Sequence, residues 1–312
     1  MSTDAFLDKL ARARSASRGL ATATTAQKNA ALAAIADAIE GAIPEVVAAN
    51  ALDLERGRSE QIGDGLLDRL LLDEARLKGL ANAVRDVIGI ADPVGEVVRG
   101  STLANGVQLT QVRVPFGVVG AIYEARPNVT VDIAALALKS GNGAVLRGGT
   151  AAENSNRVLV ELIQGAISST DLDGDVVQTI DEFGREGAAR LMRARGYIDV
   201  LIPRGSAGLI SAVVQESTVP VIETGSGLVH VFVDASADEA KALAIVKNSK
   251  THRPSVCNAA ETLLVHREAA GRLLPKLAIV LLDEQVSLTL YWLTIGNVRI
   301  DAKRVVAVQD AD

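Results

Sequence analysis

Residues 116–123 read Phe-Gly-Val-Val-Gly-Ala-Ile-Tyr, a continuous apolar run without alternating polar positions. Such a run is typical of a strand buried on both faces, as the central strands of a parallel sheet are. A helical segment up to Ser140, a Gly-Asn-Gly turn at 141–143 and a second apolar strand at 144–147 follow it. This order predicts a β-α-β unit and with it an α/β fold.

Strands and helices continue to alternate after that unit. The pattern predicts a helix over residues 153–167, a strand over 176–180, a helix over 186–195 and a strand over 197–203. We therefore predict a doubly wound parallel sheet, a fold that binds ligands at the carboxyl ends of its strands. No G-x-G-x-x-G sequence follows the first strand, which argues against a standard dinucleotide-binding loop.

Two regions of different character flank this sheet on its amino-terminal side. Residues 4–90 are rich in alanine, with apolar residues at helical spacing, and predict a helical scaffold. Residues 94–99 and 107–114 alternate as two strands around Asn105-Gly106, a strong hairpin turn signal. Because one face of this hairpin is apolar, we expect it to pack on a second subunit, and packing within the same subunit fits the sequence equally well.

A change of composition at residues 219–227 marks a domain boundary. A new strand is predicted at 229–234, a helix from Asp238 to Ser249 and another strand at 262–266. These elements predict a second α/β domain, and Cys257 falls on the loop between its helix and its second strand.

Composition and charge exclude several classes of function. The 312 residues carry a net charge of −6, which argues against a duplex nucleic-acid binder, and 3% aromatic residues argue against base stacking. No apolar run reaches the roughly 18–20 residues that cross a bilayer, so no membrane association is expected. A single cysteine without an export signal predicts a cytoplasmic location.

Cys257 is the only cysteine and lies in a polar stretch, residues 251–262, between two apolar runs. A single thiol forms no internal disulfide. Its thiolate is the reactive form, and Arg253 and His252 are close enough in sequence to favour ionisation of the thiol. The alternative is a small buried residue that happens to be cysteine.

Two glycine-containing turns are candidate phosphate sites. Gly148 and Gly149 come at the carboxyl end of the second sheet strand. Arg204, Gly205 and Ser206 precede a predicted helix, whose N-terminus is able to receive phosphate. Taken alone, the second segment is better explained as a plain strand-to-helix turn.

Four parts of the sequence, in order, match one family pattern: residues 114–120 with 124–128, 138–142 with 146–149, 202–205, and 253–262. Together they resemble the γ-glutamyl phosphate reductases, or glutamate-5-semialdehyde dehydrogenases, of the aldehyde dehydrogenase superfamily. The resemblance extends from the N-terminus to about Leu282 and implies an aldehyde dehydrogenase-like fold. Residues 291–300 have no counterpart in the family pattern, so the C-terminal part of the family's catalytic domain is expected to be missing or altered.

The resemblance implies NADPH-dependent reduction of L-glutamate 5-phosphate to L-glutamate 5-semialdehyde in proline biosynthesis. Cys257 matches the family nucleophile, which forms a thioester as phosphate leaves. It further implies a cofactor-binding domain over residues 1–93 and 116–224, an oligomerisation hairpin over 94–115, and an incomplete catalytic domain over 225–312. A homo-oligomer, dimer or tetramer, is expected, association with glutamate 5-kinase is compatible with the resemblance, and no metal is expected.

The remaining site residues are assigned by their positions in the family pattern. Asn128 matches the oxyanion asparagine, with a helix cap as the alternative. Arg147, with Gly148 and Gly149, is placed to bind the 2′-phosphate of NADPH, although a lone arginine is usually a surface residue. Glu223 occupies the general-base position or is a buried structural glutamate.

Two arginines are assigned to the substrate, and other activities stay open. Arg126 and Arg253 are expected to bind the phosphate or α-carboxylate by bidentate hydrogen bonds. A catalytically weak, truncated homologue acting as a binding or association module is one alternative. NAD(P)-dependent oxidation of another aldehyde is the other.

Overall fold

The chain forms two compact units, Met1–Gly225 (unit 1) and Ser226–Asp312 (unit 2), in a computed structural model. The structure describes residues 4–225, 227–254, 256–291 and 305–308. Within these residues, no helix is both long enough and apolar enough to cross a membrane.

Five helices open unit 1 and confirm the predicted helical scaffold. They are α1 Ala5–Leu20, α2 Thr25–Gly41, α3 Ile43–Ser59, α4 Asp64–Leu70 and α5 Glu74–Gly89. Local sequence sets where three of them begin. Asp4 and Asp73 cap α1 and α5 by accepting backbone N–H groups, and Thr24 with Gln27 forms a capping box at α2.

The predicted hairpin is confirmed. Strands β1 Val97–Thr102 and β2 Gln108–Val112 pair antiparallel, and all their residues are exposed. The turn between them needs a positive φ, which Gly106 supplies at 87°. The Asn105 side chain accepts from the Val107 N–H at 3.2 Å. Apolar side chains such as Val97 and Leu109 are about half exposed, at 59% and 49%.

A parallel sheet forms the centre of unit 1. Its strands are β3 Val118–Tyr123, β4 Gly143–Arg147, β5 Val177–Thr179 and β6 Val200–Arg204, in the order β5-β4-β3-β6. Every residue of β3 is buried, which confirms that the apolar run is a central strand. Val221 adds a parallel bridge to Leu201 on the outer side of β6.

Helices cover both faces of this sheet, as the doubly wound prediction requires. They are α6 Asn128–Lys139, α7 Glu153–Ser168, α8 Gly184–Leu191 and α9 Ala207–Glu216. The side chains of β3 alternate between two cores. Ala121 and Tyr123 pack with α2, α6 and α7, whereas Val118 and Ile122 pack with α1 and the segment around α8.

The boundaries of two predicted elements shift. α8 ends at Leu191, and β6 begins at Val200 rather than at residue 197. Between them the chain turns at Gly196, whose φ is 87°, and Arg195 forms an isolated bridge with Ile198. The turn uses residues that the apolar pattern had placed in the helix and the strand.

Unit 2 contains a β-α-β unit followed by a further helix. Strands β7 His230–Val233 and β8 Thr262–Val265 are parallel, α10 Glu239–Thr251 connects them, and α11 Arg267–Asp283 follows. Val233, Val246 and Leu273 belong to its core. β9 Leu288–Tyr291 pairs in parallel with β10 Val305–Val308, and most of the region without a family counterpart, residues 292–300, lies outside the described residues.

Candidate active site

The carboxyl ends of the parallel strands carry the predicted site residues of unit 1. Arg126 and Asn128 follow β3, Arg147 ends β4, Arg204 ends β6, and Glu223 follows the Val221 bridge. This is the edge at which open α/β sheets bind ligands. Cys257 and Arg253 belong to unit 2.

Cys257 is an exposed free thiol on the turn that leads into β8. Backbone hydrogen bonds hold this turn: Ala259 N–H donates to the Val256 carbonyl at 3.2 Å and Ala260 N–H to the Ser249 carbonyl at 2.8 Å. Arg253 is exposed, and its carbonyl accepts from Val256 N–H at 3.3 Å. The alternative of a buried apolar cysteine is therefore wrong, and the thiol is accessible to a reactant.

Asn128 is the first residue of α6 and does not cap it. Pro127 holds the capping position, where no side chain bonds to the helix N-terminus, so the cap alternative is wrong. The Asn128 amide instead donates to Asp132 Oδ2 at 3.0 Å. Its second N–H has no acceptor among the described residues and stays available to an oxyanion.

Asp132 is a half-buried carboxyl that the sequence analysis did not single out. Burial raises its pKa, and the Asn128 hydrogen bond and the positive charge of Arg204 oppose that rise. Its spacing of four residues from Asn128 places both side chains on one face of α6. That spacing was the only signal in the sequence that could have found it.

The turn that carries Arg147 lies close to α7 and to the segment that follows β3. Arg147 Nε donates to the Gly184 carbonyl at 3.4 Å. A Cβ on Gly148 would overlap the Asn156 amide, and a Cβ on Gly149 would lie 3.2 Å from the Ala125 nitrogen. Both positions therefore favour glycine for reasons of space.

A chain of polar side chains lies beneath the Arg147 turn. Tyr123 and Thr130 share a hydrogen bond of 2.6 Å, Thr130 donates to Asn156 Oδ1 at 2.9 Å, and Asn156 donates to Asp181 Oδ2 at 3.1 Å. Asp181 Oδ1 accepts the Gly148 backbone N–H at 2.6 Å. The chain thus links α6, which begins with Asn128, to the turn that carries Arg147.

Asp181 has an unusual protonation equilibrium. Burial raises its pKa to about 6, against the opposing effects of the Gly148 and Asn156 hydrogen bonds and the Arg147 charge. Burial also raises the pKa of Tyr123, and the Asp181 charge adds to that shift. Sequence reasoning missed Asp181, although it lies two residues after the end of β5, at the ligand-binding edge of the sheet.

The Arg204 turn holds a carboxylate at the helix N-terminus. Ser206 caps α9 by accepting from Leu209 N–H at 3.3 Å. The backbone N–H and the hydroxyl of Ser206 both donate to the carboxylate of Glu124, each at 2.9 Å. A Cβ on Gly205 would lie 2.7 Å from Glu124 Oε2, so the carboxylate approaches the backbone closely. An anion that uses the same donors requires Glu124 to move aside.

Glu223 is exposed beyond the outer edge of the sheet. The preceding residue, Ile222, donates its N–H to the Leu201 carbonyl at 2.9 Å and so anchors the segment to β6. The alternative of a buried structural glutamate is therefore wrong. The carboxylate is accessible at the same edge as Arg126 and Arg204.

Comparison with known proteins gives one consistent answer. The aldehyde dehydrogenase family model matches residues 2–283. Gamma-glutamyl phosphate reductases of Leifsonia xyli subsp. xyli and Clavibacter michiganensis subsp. michiganensis are 61% and 60% identical, over 86% and 89% of this chain. These matches cover 63% and 64% of the two relatives, so the chain spans less than two thirds of their length.

Solved structures agree. The gamma-glutamyl phosphate reductase of Thermotoga maritima has a TM-score of 0.83 at 43% identity, covering 92% of this chain and 69% of that one. An acetylating aldehyde dehydrogenase from Geobacillus thermoglucosidasius has a TM-score of 0.68 at 19% identity, covering 93% and 59% of the two chains, and shows the shared fold.

Proposed function

Because this chain belongs to the aldehyde dehydrogenase family, we propose that it reduces L-glutamate 5-phosphate to L-glutamate 5-semialdehyde with NADPH, a step of proline biosynthesis. The observation that carries the proposal is the exposed thiol of Cys257, on a turn whose sequence matches the family nucleophile. The close relatives that bear the name gamma-glutamyl phosphate reductase support the choice of substrate.

In the proposed reaction Cys257 is the nucleophile. Its thiolate attacks the carbonyl carbon of the acyl phosphate, the bond from that carbon to the phosphate oxygen breaks, and phosphate leaves a thioester on the sulfur. NADPH, when bound, supplies the hydride that reduces this carbonyl carbon. The tetrahedral product then releases the aldehyde and restores the thiolate.

Asn128 has the role of oxyanion donor in this proposal. Charge develops on the carbonyl oxygen when the thiolate attacks, and a positioned amide N–H stabilises it. The hydrogen bond to Asp132 fixes the rotation of the Asn128 amide and leaves its second N–H for this purpose. Glu223 keeps the assignment of general base, although reduction of an acyl phosphate needs no water to attack the thioester.

The turns after β4 and β6 carry groups that suit a nucleotide with phosphate groups. Arg147 and Arg204 supply positive charge at the strand ends, and at Gly148, Gly149 and Gly205 neighbouring protein atoms lie where a Cβ would be. The Ser206 N–H and hydroxyl are donor types that phosphates use, and they become available to a phosphate when Glu124 moves aside. We propose that Arg147 holds the 2′-phosphate of NADPH and that Arg204, Gly205 and Ser206 contact its diphosphate.

Arg126 and Arg253 are proposed to bind the phosphate or α-carboxylate of the substrate. Arg126 lies in the turn between β3 and α6, directly before the segment with Asn128, and Arg253 lies four residues before Cys257. Guanidinium groups bind both anions by paired hydrogen bonds. Substitution of both by lysine is expected to raise the Michaelis constant of the acyl phosphate, and an unchanged constant contradicts the assignment.

The exposed hairpin supports a homo-oligomer. Its apolar side chains, including Val97, Val107 and Leu109, are each about half exposed. Exposed apolar side chains on a two-stranded ribbon are typical of a surface that a second subunit covers. We propose that β1 and β2 form this contact. Association with glutamate 5-kinase and the cytoplasmic location stay predictions from the sequence.

The alternative proposal is a binding or association module without full activity. Titration with NADPH separates the two proposals, because an enzyme must bind the cofactor saturably. Oxidation of an ordinary aldehyde differs from the proposed reaction because it consumes water and needs no phosphate.

The deciding assay follows NADP⁺ reduction by L-glutamate 5-semialdehyde with and without phosphate. The proposal predicts NADPH formation that requires phosphate and is lost in Cys257→Ser and Cys257→Ala. NADPH formation without phosphate would support a simple aldehyde dehydrogenase. Saturable NADPH binding without any turnover would support the binding module.

A further inference from the structure

We propose that Asp132 recognises the α-ammonium group of the glutamyl substrate and so makes the site selective for an amino acid. The proposal rests on the proposed function, because it takes the substrate to be a glutamyl compound. In the chemistry proposed for Cys257, Asp132 only orients the Asn128 amide. It lies one helical turn from Asn128, the proposed oxyanion donor, and bonds to it at 3.0 Å.

Asp132 lies on the least buried face of α6. Asn128, Asp132 and Leu136 follow one another at intervals of four residues and so share a face of the helix. Asn128 and Asp132 are half-buried and Leu136 is 52% exposed. The opposite faces of α6 are buried against the core of unit 1, through residues that include Val131, Ala134 and Leu138.

Among the described residues no cation contacts the carboxylate of Asp132, and the positive charge of Arg204 acts on it from a distance. Within the part of the chain that the structure describes, it accepts one hydrogen bond, from the Asn128 amide, and forms no ion pair. Buried carboxylates elsewhere in unit 1 are better satisfied: Asp53 accepts from the backbone N–H groups of Asn154 and Ser155 and pairs with Arg56. Asp132 is half-buried with a raised pKa, so a ligand cation would relieve its desolvation.

The spacing suits a glutamyl chain. Four bonds separate the carbonyl carbon of the substrate from its α-nitrogen, which is roughly 5 Å in an extended chain. The Asn128 amide nitrogen and Asp132 Oδ2 lie 3.0 Å apart, and each hydrogen bond to the substrate adds about 3 Å to the span between the substrate atoms. A substrate whose carbonyl oxygen accepts from Asn128 therefore reaches Asp132 with its ammonium group, where a charge-assisted hydrogen bond forms.

The test compares two aldehydes that differ only in the amino group. L-Glutamate 5-semialdehyde carries the α-ammonium and 5-oxopentanoate carries hydrogen there. Both are oxidised with NADP⁺ and phosphate, and concentrations refer to the open-chain form because the amine condenses with its own aldehyde. Asp132→Asn keeps an acceptor for the Asn128 amide and removes the charge. Asp86→Asn, at an exposed position on α5, is the matched control.

The expected result is a loss of selectivity. The unchanged chain and Asp86→Asn should favour the amino aldehyde in kcat/KM, and Asp132→Asn should lower that preference by roughly ten- to a hundredfold, mostly through KM. Equal losses for both aldehydes would show that Asp132 only positions Asn128 and would overturn the proposal. An unchanged preference would overturn it as well.

A binding measurement keeps the test independent of turnover. The melting temperature is followed with L-glutamate and, separately, with glutarate, which lacks the amino group. The proposal predicts a larger shift with L-glutamate that falls to the glutarate value in Asp132→Asn. If the chain has no turnover but this difference is present, the proposed function fails and the inference on Asp132 survives. Equal shifts with both ligands in the unchanged chain overturn the inference.

Discussion

Replacement of Asp181 by asparagine removes the one titrating carboxyl in the polar chain beneath the Arg147 turn. Asp181 accepts from the Gly148 backbone N–H at 2.6 Å and from the Asn156 amide at 3.1 Å. Asparagine keeps an acceptor for Gly148, lacks the second acceptor that the Asn156 amide uses, and titrates at no accessible pH. The pH dependence of stability, and not its absolute value, therefore isolates the effect of the buried charge.

The magnitude follows from the raised pKa. The pKa of Asp181 is about 6 in the folded protein against an ordinary value of 3.8, so the folded state binds the proton more tightly. Its contribution to stability is full below pH 3.8 and is lost as the pH rises through 6. At 1.36 kcal/mol per pKa unit, the difference of about 2.2 units gives a loss of at most ~3 kcal/mol.

The assay is urea unfolding followed by far-ultraviolet circular dichroism between pH 4 and 7.5. Helices α1–α9 lie in unit 1 and provide most of the helical signal, so the transition reports on the unit that contains Asp181. Asp86→Asn, which removes an exposed carboxyl, is the control. The free energy of unfolding of Asp181→Asn should fall less with rising pH than that of the control. If the free energy of unfolding fell equally with rising pH in both variants, a raised pKa of Asp181 in the folded protein would be contradicted.

Two further substitutions test the scaffold that supports the site. Asp53→Ala removes the acceptor of the Asn154 and Ser155 backbone N–H groups at the start of α7, and we expect a loss of about 2–4 kcal/mol in urea unfolding. A loss under about 1 kcal/mol would contradict this. Lys28→Met leaves the carboxylate of Asp92 without the partner that bonds it at 2.9 Å, with an expected loss of about 3–5 kcal/mol. Lys28→Met combined with Asp92→Leu should be less harmful than Lys28→Met alone, and equal losses would argue against an uncompensated charge.

Local sequence patterns predicted the elements of the fold because their causes are local. The apolar run from Val118 to Tyr123 is buried at every position, and Asn105-Gly106 forms the expected hairpin turn. Periodicity and turn chemistry depend on neighbours within a few residues, which the sequence displays directly. The same reasoning placed Gly148 and Gly149 at the carboxyl end of a strand, whereas the family resemblance assigned Asn128, Arg147 and Glu223.

The polar contacts of the site were not predictable in this way. Asp181 meets Asn156 across 25 residues, and Glu124 meets Ser206 across 82 residues, so each pair forms only when the strands and helices pack. A helix cap is the alternative for Asn128 because asparagine often occupies the capping position before a helix. In the structure, Pro127 occupies that position. Tertiary packing decides such contacts, and a single sequence carries no direct signal of them.

The most direct test of Cys257 as the nucleophile is detection of a thioester on its sulfur. The purified chain is incubated with L-glutamate 5-semialdehyde and NADP⁺ without phosphate, quenched in acid, digested and examined by mass spectrometry. We predict a glutamyl group on the peptide that contains Cys257. This glutamyl group disappears when phosphate is added before the quench. An unmodified Cys257 peptide in the presence of both reactants would contradict the assignment of Cys257 as the nucleophile.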